Sequence, residues 1–190
     1  LKYVQDQLAF NTPELLAVGT ANGEVEIGGT TNKIGFDMAN GKSKGWSYAF
    51  INRQNGNTAI IGVGKYLGFY QAQDITDQIP EFFPDINSKK LTQDYIDSDE
   101  LPVLISGNST YKDYIKSNPN SKPNLVGIKN NYDNQTLNND YPYWIAYFGE
   151  NQDFACYTDA LTGETKCDIV TSVKKYITVA NTFYPNPAYN

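Results

Sequence analysis

The stretch YWIAYFGENQDFACYTDALTGETKC, residues 143–167, contains the clearest turn signal in the second half of the chain. Asp159 and the pair Thr162-Gly163 are turn formers, and runs rich in aromatic and β-branched residues lie on either side of them. The pattern therefore predicts a β-hairpin.

The same hairpin holds the two cysteines of the chain. A register centred between Leu161 and Thr162 places Cys156 opposite Cys167, within reach of a disulfide. A crosslink that closes so short a loop stabilises a fold by about 3 kcal/mol in the chain-entropy model. Because disulfides persist in oxidising compartments, the pairing favours a secreted protein, and two free buried thiols are the alternative.

Composition narrows the functions open to the chain. The net charge is −6 and Arg53 is the single arginine, which argues against a nucleic-acid partner. The chain has no histidine, which excludes histidine-based catalytic triads and histidine metal sites, and a disulfide leaves no thiolate nucleophile. No apolar run approaches the roughly 18 residues of a membrane span. We expect no catalytic residue, no cofactor, no metal site and no enzyme activity.

The start of the chain carries no charged and apolar leader before Leu1. We interpret the sequence as a mature form from which a leader has been removed. This predicts an extracellular, periplasmic or cell-surface protein.

Three patterns organise the first half. Residues 1–10 place apolar side chains on one helical face, which predicts a short amphipathic helix. The stretch ELLAVGTANGEVEIGG predicts two strands paired around Asn22-Gly23. Residues 46–63 predict a second hairpin whose turn spans Asn52–Asn57.

The second half repeats a similar order. Residues 71–97 are acidic and contain two prolines, which is typical of a linker. Short helices are predicted in ELPVLISG, capped by Ser98 or Asp99, and in STYKDYIKSN, followed by four strands. Trp46 and Trp144 each lead a strand in their half and alternate with apolar neighbours. We predict that both anchor the core, and stacking on sugars is the alternative.

The sequence resembles the PepSY-like domains of bacterial secreted proteins and lipoproteins. The resemblance rests on GKSKGWSYAF in the first half, on YIDSDE and YPYWIAYF in the second, and on a closing turn. The residues that match this turn are Asp159, Ala160, Thr162, Gly163 and Glu164. The first half lacks the turn, and the cysteine pair is not part of the family pattern.

The resemblance implies an α+β fold made of two tandem helix-on-antiparallel-sheet units. The predicted division is a first unit at 1–70, the acidic linker at 71–97, a second unit at 98–168 and a C-terminal β extension at 169–190. The resemblance also implies that such domains bind or restrain other proteins.

A group of acidic residues lies around the start of the second unit. Asp94, Asp97, Asp99 and Glu100 could supply paired carboxylates or oxygen ligands for calcium. The segment lacks the spacing and the central glycine of a calcium loop, which favours a solvated linker with a helix cap.

The C-terminal extension is rich in β-branched and aromatic residues, so it predicts one or two further strands. A terminal strand needs an edge to pair with, in its own sheet or in a neighbour's. The predicted assembly contacts are Val170, Val173, Tyr176, Ile177, Val179, Phe183, Tyr184 and Tyr189. We expect a self-assembling, filament-type extracellular subunit. The alternative is a monomeric secreted module that inhibits or restrains a protease or another protein.

Overall fold

A computed structural model describes residues 2–27, 30–66, 69–78, 87–92, 94–130, 141–149 and 151–170. In these ranges the structure has three α-helices, one 3-10 turn and ten strands. The helical segments are α1 Lys2–Leu8, the 3-10 turn Thr76–Gln78, α2 Leu101–Gly107 and α3 Ser109–Ser117. The strands are β1 Pro13–Ala21, β2 Gly23–Ile27, β3 Thr30–Ile34, β4 Gly45–Asn52, β5 Asn57–Tyr66, β6 Phe69–Asp74, β7 Pro123–Asn130, β8 Pro142–Phe148, β9 Phe154–Asp159 and β10 Thr165–Ile169.

Eight of these strands form one antiparallel sheet in the order β10-β9-β8-β7-β1-β4-β5-β6. The strands β2 and β3 form a separate two-stranded sheet. From the central pair β1 and β7, the order runs outward through β4, β5 and β6 of the first half and through β8, β9 and β10 of the second half. The two halves therefore share a continuous sheet.

The predicted fold class, two tandem α+β units with a helix packed on each sheet, is wrong. The main sheet is continuous because β1 pairs antiparallel with β7, with Val18 opposite Ile128. At this seam Gly19 lies opposite Gly127, and a Cβ at residue 127 would lie 2.8 Å from the carbonyl oxygen of Val18. Strands predominate in the described residues, and the helices contain seven, seven and nine residues. Strand periodicity indicates which face a residue occupies, but it does not identify the partner strand.

The predicted hairpin around Asn22-Gly23 is also wrong. β1 ends at Ala21 and β2 begins at Gly23, as the turn signal indicates. However, β1 pairs with β4 and β7, whereas β2 pairs with β3. The backbone N–H of Asn22 still donates to the carbonyl oxygen of Asn124 in β7, 2.7 Å away, and the chain leaves the main sheet after this residue.

Several local predictions are confirmed. The first ten residues contain α1, and β4 and β5 pair around the turn at residues 52–57. Both helices of the second half and the four strands β7 to β10 are present. The N-cap of α2 is Glu100 rather than Ser98 or Asp99, and it makes no side-chain capping bond. The predicted linker contains the end of β6 and the 3-10 turn, and the domain boundaries themselves stay a prediction.

The helices pack against one face of the sheet, which we call the helix face. In the second half, Leu101 and Ile105 of α2 belong to the same buried core group as Phe148 and Phe154. The Tyr111 ring of α3 contacts both phenylalanine rings. In the first half, α1 contributes a smaller group. This group consists of Val4 of α1, Phe10 just after it, Phe50 of β4, and Ala59 and Ile61 of β5.

Candidate interaction site

The disulfide hairpin is formed by β9 and β10. Cys156 lies directly opposite Cys167 in the register, and a disulfide joins them with a Cα–Cα distance of 4.1 Å. Cys156 is buried against Ala146 of the neighbouring strand β8. The predicted pairing of the cysteines is confirmed, and a disulfide is compatible with a secreted protein.

The turn between these strands contains the residues matched to the PepSY pattern. The Asp159 carboxylate accepts from the backbone N–H groups of Leu161 and Thr162, at 2.8 and 3.0 Å. Gly163 has a φ of 78°, which glycine adopts without strain, and Glu164 accepts from the N–H of Asp159. Ala160 is fully buried. The Asp159 carboxylate thus fixes the turn, while Ala160 joins the turn to its surroundings through backbone bonds with Pro142 and Ile96.

The two tryptophans meet on the helix face. Trp46 of β4 contacts Trp144 of β8 edge to face, with ring centroids 6.3 Å apart. Trp144 is buried, and its indole N–H donates to the carbonyl oxygen of Ile96 at 2.8 Å. Trp46 is partly buried and also contacts Phe36. Trp144 lies in the core and Trp46 packs against it, which favours the predicted role as core anchors over stacking on sugars.

The acidic segment before α2 is held to the second half of the sheet. The N–H of Ile96 donates to the carbonyl oxygen of Ala160 at 2.8 Å, so this segment lies against the disulfide hairpin. The Asp97 carboxylate accepts from the Ser98 N–H at 2.6 Å. Within the part of the chain that the structure describes, no three acidic, histidine or cysteine side chains come together as metal ligands.

One end of the sheet is the edge strand β6, which sequence reasoning assigned in part to a linker. Among the described strands it pairs with β5 alone, without a register shift. Phe69 and Tyr70 are the most exposed large side chains of this edge, at 75% and 77%. The signal that identifies β6 in the sequence is Gly68 between two aromatic runs, a spacing typical of a short hairpin.

The other end of the sheet is the edge strand β10. It pairs with β9 alone among the described strands, again without a register shift. Ile169 is 68% exposed near its end. Of the predicted assembly contacts, Val170 is described, and its N–H donates to the Asp153 carbonyl at 2.8 Å. The others, Val173, Tyr176, Ile177, Val179, Phe183, Tyr184 and Tyr189, lie outside the described residues.

The β6 edge also has an electrostatic link to the interior. The Lys65 ammonium lies 6.0 Å from the ring centroid of Tyr70, within range of a cation–π contact. Burial raises the pKa of the neighbouring Tyr48 phenol, and nearby Tyr70 and Asp97 raise it further. Lys65 of the neighbouring strand β5 therefore lies beside an exposed ring of the edge strand, and the Tyr48 phenol stays neutral at ordinary pH.

No protein-family model, curated protein or solved structure matches the chain. The resemblance to PepSY-like domains therefore stays a prediction. Among the helices in the described ranges, none is long and apolar enough to cross a lipid bilayer.

Proposed function

We propose that this protein is a non-enzymatic, secreted structural subunit that self-associates into extracellular filaments. The observation that carries this proposal is the pair of strands at opposite ends of the continuous sheet. Within the described ranges each of them pairs with one neighbour only, and they expose Phe69 and Tyr70 at one end and Ile169 at the other.

Open edges are a hazard that proteins usually limit. Lysine, proline, bulges or very short strands commonly protect an edge from pairing with another chain. β6, with the sequence FYQAQD, has neither lysine nor proline and no bulge against β5. Such an edge fits a protein whose function is to pair strands with another molecule.

The positions of the two edges favour an open polymer. A contact that joins one edge of a copy to the opposite edge of the next is heterologous, and it propagates unless the rotation closes a ring. The Cys156–Cys167 bond joins β10 to β9 and would keep that edge folded outside the cell.

The proposal is tested on the full-length protein with its disulfide intact. Light scattering after size exclusion and negative-stain microscopy are recorded over a concentration series, at low and at moderate salt. We expect filaments that form more readily with salt, because each copy carries a net charge of −6. A strictly monomeric protein at the highest concentration would contradict the proposal and support the alternative of a monomeric module that binds another secreted protein.

A further inference from the structure

We propose that β6 of one copy pairs antiparallel with β10 of the next, with Tyr70 opposite Ile169. This inference rests on the proposed function, because it names the surface through which the copies associate.

The directions of the two edge strands allow this contact between copies that have the same orientation. Every neighbouring pair in the eight-stranded sheet is antiparallel, so β6 and β10, as its first and last strands, run in opposite directions. When two copies lie side by side in the same orientation, β6 of one therefore meets β10 of the other as an antiparallel pair. The strands have six and five residues, so their lengths match. Full pairing replaces two local bonds of β10, the one from the Asn108 amide to the Thr165 carbonyl and the one from the Ile169 N–H to the Asp168 carboxylate.

The faces of the two strands also agree. Ala72 lies opposite Val63, which packs with the core group under α1, so Tyr70 and Ala72 lie on the helix face. Ile169 lies opposite Phe154, which is part of the core under α2 and α3, so it lies on the helix face too. A pairing that continues this face places exposed Tyr70 against exposed Ile169.

Side-chain pairing disfavours two other registers. With Tyr70 opposite Ile169, Gln71 meets Asp168 and Asp74 meets Thr165, so no like charges are opposed. A shift by two residues toward the start of β10 places Phe69 opposite Asp168, and Ile169 then has no partner in β6. A register displaced by three residues the other way sets Asp74 against Asp168, which is destabilising.

The contact predicts the repeat of the filament. Eight strands at about 4.8 Å each give a subunit repeat of about 38 Å along the sheet, measured across the strands. All copies would then present their helices on the same face of a shared sheet, and the twist of the strands would make the assembly helical.

The first test exchanges the apolar pair for a charged one in the full-length protein. Tyr70→Glu and Ile169→Lys should each raise the concentration needed for assembly by about tenfold or more, because an unpaired charge is buried at the contact. The double variant Tyr70→Glu/Ile169→Lys should restore assembly, since the charges then pair across copies. Val103→Lys is the matched control, because Val103 in α2 is equally exposed at 77% and belongs to neither edge strand.

The second test traps the register with disulfides. Tyr70→Cys/Ile169→Cys should give a ladder of crosslinked oligomers on a non-reducing gel under mild oxidation. Phe69→Cys/Ile169→Cys is the control, because Phe69 is equally exposed but lies opposite Tyr66 on the other face. Circular dichroism of each variant checks that it is folded.

The outcomes separate this inference from the proposed function. Loss of assembly in the single variants, its recovery in the double variant and a ladder for the 70/169 pair alone support the β6–β10 contact. Filaments that tolerate both single variants, or single losses that the double variant fails to recover, overturn the contact and leave self-association standing. A wild-type protein that stays monomeric overturns both.

Discussion

The two halves of the eight-stranded sheet differ in how firmly they are held. Strands β7 to β10 are covered by α2 and α3, carry an aromatic cluster and are closed by a disulfide. Strands β1 and β4 to β6 are covered by α1 with a smaller apolar group, and they end in the exposed edge β6. Stability is therefore expected to be concentrated in the second half, while β6 offers the less protected pairing surface.

The largest expected effect comes from the aromatic cluster. Phe148 is fully buried and contacts the rings of Tyr111, Tyr114 and Phe154, so Phe148→Ala should lower the free energy of unfolding by about 3–5 kcal/mol. Phe50→Ala, in the smaller core of the first half, should fall at the lower end of that range. Urea unfolding followed by circular dichroism measures both. An equal or larger loss for Phe50→Ala would contradict the ranking of the halves.

The disulfide comes next. Cys156→Ala/Cys167→Ala should lower the free energy of unfolding by about 3 kcal/mol, because the unfolded chain is no longer constrained. Removing both sulfurs avoids a free thiol in the core. Reduction of the wild-type protein is the control and should give a similar loss. An intact mass that does not change with reductant would show free thiols and overturn the pairing.

The link between α3 and β10 is a smaller contribution. Asn108 caps α3 by accepting from the Tyr111 N–H at 3.2 Å, and its amide donates to the Thr165 carbonyl at 2.9 Å. Asn108→Ala should therefore cost about 1–2 kcal/mol in unfolding free energy.

Asn118→Ala is the matched control for Asn108→Ala. Asn118 lies at the other end of α3, is exposed, and its amide donates to the Tyr114 carbonyl within the same segment. Its loss should be clearly smaller when both variants are unfolded in urea. Equal losses would show that the contact with Thr165 adds nothing.

The smallest expected effect is on the loss of folding stability at alkaline pH, to which one buried tyrosine in each half contributes. Burial raises the pKa of Tyr48 in the first half and of Tyr111 in the second, with Tyr70 and Asp97 adding to the first and Tyr114 to the second. A raised folded-state pKa contributes stability that is fully present below the unfolded pKa of about 10 and is lost as pH rises through the folded pKa. Tyr48→Phe and Tyr111→Phe should each flatten this loss.

Unfolding in urea at a series of pH values from neutral to above 10 checks the tyrosine prediction. Absorbance of the ionised phenols, recorded in parallel, reports their titration in the folded protein. An unchanged pH dependence in both variants would show that these phenols do not contribute.

The sequence by itself determined what short-range chemistry controls. Turn residues at Asp159 and Gly163 fixed the β9–β10 register, and that register placed Cys156 opposite Cys167. The helices were predictable because their apolar spacing and end signals lie within ten residues of one another. β6 was missed because the acidic composition that follows Asp74 obscured a short strand.

Only the tertiary structure decided which strands are neighbours. Nothing local in Val18 or Ile128 indicates that they face each other, yet this pairing joins the halves into one sheet and leaves β6 and β10 at its ends. The hydrogen bonds of a strand are made to residues far away in the chain, so periodicity shows the face of a residue without showing its partner. The candidate site depends on these strand pairings, because a strand is known to be an edge only when the partners of the other strands are known.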